Sequence, residues 1–170
     1  MSMDPTLLSQ LPVAISTAKG LLTSNTPLPS LLIEKYPPTI HRVSFQLGEN
    51  FVFLHRMFQS DESPYPHSHS WPFICHVLDG SYEMWEGTSH TEDRLACPPL
   101  DQYQVIQAGD TYGYSSSKTW HSVAPITSVS MSIMIVGPRW RERLAQNCRQ
   151  LATMDYDALV YEFKRIWGLL

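Results

Sequence analysis

The chain has 170 residues, 43% hydrophobic, 11% aromatic and 16% charged: enough apolar material for one buried core, and too little length for two ordinary domains. With 12 Lys and Arg against 16 Asp and Glu the formal net charge is −4, and no basic run occurs, which excludes a surface built to neutralise phosphates, so no nucleic-acid partner is expected. The 13 prolines disfavour an all-helical bundle. Three cysteines, Cys75, Cys97 and Cys148, are odd in number and widely spread, so they outline neither a disulfide framework nor a zinc ribbon. A reducing, cytoplasmic compartment fits that usage. No apolar run of about 18 residues exists to cross a bilayer. The start of the chain carries Asp4 and lacks the basic segment of a secretion signal, so no membrane partner is expected.

In chain order, Leu7, Leu8, Leu11, Ile15, Ala18 and Leu22 recur at helical spacing, with Pro12 as either a break or a first-turn residue. Pro27, Pro29 and Ser30 punctuate, and Leu31 to Lys35 reads as a short second helix stopped by Pro37 and Pro38. From His41 the texture changes to short aromatic and β-branched segments separated by Gly, Asn, Asp and Pro: 43–47, 51–57, 71–78, 81–85, 103–106, 110–114, 119–124 and 128–136. Gly137-Pro138 closes the series. Beyond it, Trp140, Leu144, Cys148 and Leu151 share one helical face, and Tyr156, Leu159, Val160, Phe163, Ile166, Trp167 and Leu170 share another. The expected organisation is a single domain over 1–170: a helical segment at 1–40, a β sandwich or barrel at 41–137 and helices at 138–170.

The sharpest local feature is His67-Ser-His69. Two histidines at i and i+2 on a strand point to one face, about 6.6 Å apart along it, close enough to share one metal ion. Such a pair alone is common, and most histidines merely pack or meet solvent. Context adds to it: a turn at Leu78-Asp79-Gly80-Ser81, then a block Gly109-Asp110, a turn at Ser115 to Lys118, and Thr119-Trp-His121.

With these two blocks the chain resembles the cupin superfamily over about 41–137, whose first motif carries His-x-His and a turn glycine and whose second carries Gly-Asp, a turn and His. The resemblance implies a mainly β fold, a jelly-roll barrel with flanking helices, holding a metal through His67, His69 and His121. The glutamate usual in that family, four or five residues after the second histidine, is absent from Ser70 to Ile74. Three neutral imidazoles leave a dication its full charge and about three open positions, suited to a bidentate anion and dioxygen. A three-histidine site is similar to that of the cysteine dioxygenase-like thiol dioxygenases, which makes Fe(II) the first metal, with Zn, Mn, Ni and Cu also compatible with imidazole. Arg42 falls where those enzymes hold an arginine for the substrate carboxylate. Their Ser-His-Tyr run is not reproduced in Val129 to Met134, and their cross-linking cysteine is replaced by Phe73, so cysteine itself is not the expected substrate.

Strand parity sets Trp71, Phe73, Cys75 and Val77 on the face of His67 and His69, as pocket wall or as ordinary core. Cys75 reads as an inert small hydrophobe or a thiol at the site. Glu83 reads as a base or fourth ligand, or as a solvated strand residue. Tyr112 and Tyr114 are candidate phenol donors to substrate or oxygen. His76 points to the opposite strand face, and His41, His55 and His90 have no partner by spacing, so solvent or core positions are expected for them.

The expectation is therefore a metal-dependent oxidoreductase, a mononuclear Fe(II) dioxygenase acting on a small organic molecule, possible as a homodimer by analogy. Two other readings stay open: a Zn- or Mn-dependent lyase, isomerase or hydrolase, and a cupin that binds a small ligand without catalysis.

Overall fold

The computed structural model describes residues 3–34, 37–91, 96–140 and 148–170. The Asp4 carboxylate accepts from the amides of Thr6 and Leu7 and so opens helix α1 (Pro5–Ser9). Pro12 sits in the first turn of α2 (Leu11–Thr23), where its missing N–H removes no helical bond. The apolar series thus divides into two helices, and Ala14, Ala18 and Leu22 make the buried stripe of the second.

Leu31-Leu32-Ile33 is a strand, contrary to the short helix expected there. It forms β1 (Ser30–Ile33), which pairs antiparallel with β2 (Ile40–Leu47) on one side and with β11 (Cys148–Arg149) on the other. A three-residue apolar run fits both periodicities, and two neighbouring strand edges decide it by satisfying its amides on both sides. The same pairing corrects the helix expected from Trp140 to Leu151: Cys148 lies in β11, and Leu151 lies outside any helix. The Leu144 part of that expectation lies outside the described residues. The last apolar face is helical as read, in α3 (Thr153–Ile166), which buries Leu159 and Phe163 and whose Tyr156 hydroxyl accepts from the Leu28 amide at 3.0 Å.

The other strands are β3 (Asn50–Phe58), β4 (His67–Ser68), β5 (Phe73–Asp79), β6 (Ser81–Thr88), β7 (Gln102–Gln107), β8 (Thr111–Tyr114), β9 (Thr119–Pro125) and β10 (Val129–Val136). They form two antiparallel sheets, one ordered β11-β1-β2-β3-β10-β5-β8 and the other β4-β9-β6-β7. From β3 onward the chain crosses repeatedly between sheets, which places the elements in two facing layers; no ladder joins the layers among the described residues. Mainly β architecture with helices at both ends is therefore what the chain adopts.

Parity divides the larger sheet into two faces. Val43, Phe45, Val52, Leu54, Ile74, Met131, Ile133 and Ile135 pack outward against Ala14, Ala18, Leu22, Leu159 and Phe163 of the helices. Met57, Phe73, Cys75, Val77, Tyr112, Tyr114, Met134 and Val136 turn inward and meet Tyr82, Met84, Ile106 and Val123 of the smaller sheet. The turn from β5 to β6 needs glycine: Gly80 has φ +77°, and a Cβ there would lie 2.5 Å from the Val129 carbonyl oxygen.

Because Phe163 is fully buried between helix and sheet, Phe163→Ala is expected to cost about 3–5 kcal/mol. Urea unfolding should show it as a lower midpoint at unchanged slope.

Candidate metal centre

Strand β4 is only two residues long, yet its ladder with β9 places His67 directly opposite His121 and Ser68 opposite Trp120. One residue beyond β4, His69 returns to the His67 side. The three imidazoles converge: His121 Nε2 lies 2.9 Å from His69 Nε2 and 3.1 Å from His67 Nε2, and one ligand nitrogen from each falls within 4.8 Å of the others.

The opposite ring nitrogens define the tautomers. His67 Nδ1 lies 3.1 Å from the Tyr65 carbonyl oxygen, so it carries the proton and donates it. His121 Nδ1 faces Met84 Sδ at 3.4 Å. Burial pushes the pKa of His121 well below its ordinary value, and the charges of His67 and His69 push it further the same way. Burial likewise lowers His67, against the opposing Tyr65 hydrogen bond. With Nδ1 protonated, the His67 ring turns its Nε2 lone pair toward His121 Nε2, where a second lone pair would repel it. A divalent cation among the three rings converts that repulsion into three bonds, and the all-imidazole donor set suits Fe, Zn, Mn, Ni or Cu.

Aromatic rings surround this cluster. Phe73 lies 4.2 Å from the His69 ring, Trp71 6.3 Å from it, and Tyr114 stands edge-on to His121 at 5.1 Å. Tyr112 is 6.5 Å from the His121 ring. Cys75 is one step deeper along β5, hydrogen-bonded with Ser132, Tyr112 and Tyr82, and its burial raises the thiol pKa, so it stands there as a thiol. Arg42 is buried on the inner face of β2, its guanidinium 4.3 Å from the Phe53 ring centroid, directly opposite His55 of β3.

Glu83 does not adjoin the cluster. Alternation along β6 turns Tyr82 and Met84 inward and Glu83 outward, where its carboxylate accepts from the exposed Tyr103 hydroxyl at 2.9 Å. The inward carboxylate is Glu86, three residues on, which parity from Tyr82 and Met84 identifies once the register of β6 is known. His55 is another inward polar residue that spacing missed. Its pKa is lowered to about 3, chiefly by burial and secondly by Arg42; spacing missed it because no sequence interval links it to strands distant in the chain.

No family model matches the chain, and no curated protein matches it. Several solved structures are similar to part of the chain. KdgF from Halomonas sp. is 16% identical, with 64% of this chain and 87% of that chain covered and a TM-score of 0.47. Hydroxypropylphosphonic acid epoxidase from S. wedmorenis is 10% identical, with 63% and 55% covered and a TM-score of 0.46, so the match spans about half of that chain. An HTH_3 family transcriptional regulator from Vibrio cholerae is 15% identical over 59% and 52%, with a TM-score of 0.39.

His121 is central to the cluster, so His121→Ala is expected to abolish divalent-metal retention, read by elemental analysis of the purified protein, while the fold survives in circular dichroism. His55 supplies a separate prediction. Its folded pKa is depressed to about 3 from 6.5, so the unfolded chain binds the extra proton between those values. Stability is then complete above pH 6.5 and falls below it, by about 1.4 kcal/mol per pH unit for this one group. Denaturant titrations between pH 7 and 4 should show a shallower loss for His55→Leu than for the wild type.

Proposed function

We propose that the chain is a metal-dependent enzyme of the cupin kind, a mononuclear non-haem Fe(II) dioxygenase acting on a small organic substrate that bears a carboxylate or a thiol. The observation that carries this reading is the convergence of three imidazole Nε2 atoms, that of buried His121 and those of half-buried His67 and His69, with no carboxylate among them in the described residues, on the aromatic inner face that also holds Arg42. His67, His69 and His121 would hold the ion. When bound, Fe(II) supplies the one-electron chemistry that lets a closed-shell substrate react with dioxygen.

The remaining steps belong to the protein. Arg42 is always charged and presents a planar pair of donors, so it orients a carboxylate from the β2 side. Phe73 and Trp71 exclude water from the ring cluster and leave reactants a low-dielectric environment. The Tyr114 hydroxyl pKa is raised, first by burial and next by its hydrogen bond to Glu86, so it stays protonated and gives its one proton to that carboxylate, leaving its oxygen lone pairs toward the pocket. The Tyr112 hydroxyl is kept protonated by burial in the same way, next to Cys75 and Tyr82. Cys75 itself packs the deep wall.

Anaerobic purification with metal analysis, followed by dioxygen uptake against thiols, diketones and hydroxylated aromatics, tests the reading. Iron near one equivalent with substrate-triggered uptake supports it. Stoichiometric zinc with no uptake overturns the dioxygenase and leaves a lyase, isomerase or hydrolase. Arg42→Ala should raise KM for carboxylate-bearing substrates by about tenfold or more at similar metal content.

A further inference from the structure

Glu86 is the one buried acidic side chain among the described residues, 6% exposed. It directly opposes His121 across the β6–β9 ladder and shares the inner face with Tyr82 and Met84. Gln104 Nε2 donates to Glu86 Oε2, and the Tyr114 hydroxyl donates to the same carboxylate. That hydroxyl also lies 3.4 Å from Met84 Sδ, the sulfur that in turn lies 3.4 Å from His121 Nδ1. A chain of contacts therefore runs from the buried carboxylate to the outer nitrogen of a metal-ligand histidine. Beside Glu86 is a cavity of about 240 Å³ lined by Thr88, Gln102, Ser115, Ser116 and Thr119, which offers polar surroundings to the lone pairs that Gln104 and Tyr114 leave over.

A buried carboxylate is costly unless donors and an opposite charge face it. Two donors are present. A dication held by three neutral imidazoles keeps its entire charge, and among the described residues no carboxylate joins the ligand set to reduce it from within. Glu86 lies outside the cluster of ligand nitrogens, on the strand next to His121. We infer that Glu86 is the outer counter-charge of the metal centre, a positioning residue that compensates the ion through space without ligating it, with Gln104 and Tyr114 holding its carboxylate in place. The inference rests on the metal-centre reading above and adds to it the residue that balances the ion's charge.

Glu86→Gln keeps the shape and removes the charge. Chelator competition with Zn(II), and with Fe(II) under anaerobic conditions, should show an affinity loss of about 10- to 100-fold for this variant, and Glu86→Asp should stay within about threefold of the wild type. The metal-free Glu86→Gln protein should melt no lower than metal-free wild type, while its rise in melting temperature on adding Zn(II) is smaller. Glu83→Gln, on the outer face, should bind as the wild type does. Wild-type affinity in Glu86→Gln overturns the inference. So does equal loss in Glu86→Asp and Glu86→Gln, or a Glu86→Gln chain that fails to fold without metal, since each makes the carboxylate a structural support. If the wild type binds neither ion, or His121→Ala binds as tightly as wild type, the metal-centre reading itself fails and the inference falls with it.

Discussion

Three imidazole nitrogens, one of them about 3 Å from each of the other two, are an unstable arrangement unless something positive sits among them. One proton can be shared by one pair at a time, and burial together with the charges of its two neighbours resists protonating His121. The fold nevertheless holds them there, through the His67–His121 register and the Tyr65 carbonyl that fixes the His67 ring. The surrounding arrangement follows from that constraint: aromatic rings that keep water away, a buried guanidinium on one layer and a buried carboxylate on the other.

Holding the cluster in place is the task of the larger sheet. Its outward face is closed by α2 and α3, so that the inward face of β5, β8 and β10 presents fixed walls to the smaller sheet. β4, two residues long, has few backbone bonds of its own and takes its position from β9. The terminal helices thus matter to the centre indirectly, by removing the outer apolar face from water and leaving the sheet one way to pack.

The interior charges are unevenly placed. Arg42 lies on the β2 side beside His55, and Glu86 on the β6 side beside His121. A dication between them, with an anionic substrate reaching Arg42, would give each buried charge an opposite neighbour in a medium where an unmatched charge is costly. Phe73 packs on His69.

Much of this was legible from the residues alone. Alternation in 43–57 and 128–136 marks strands, the α3 stripe of Leu159 and Phe163 marks a helix, and His67 and His69 at two-residue spacing share a face by the geometry of any strand. Those features depend on neighbours in the chain, where the period of the backbone converts spacing into direction. Leu31-Leu32-Ile33 and Cys148 read wrongly because short apolar segments fit either period and strand partners from elsewhere decided them. Glu86 and His55 were invisible for a related reason: their significance comes from lying across ladders from His121 and Arg42, and register between distant strands is set by packing of the whole sheet. Sequence determined which residues can ligate and which faces are apolar, because these are local properties. Tertiary structure alone decided which carboxylate faces the centre, because a shift of one residue along a strand exchanges inside for outside.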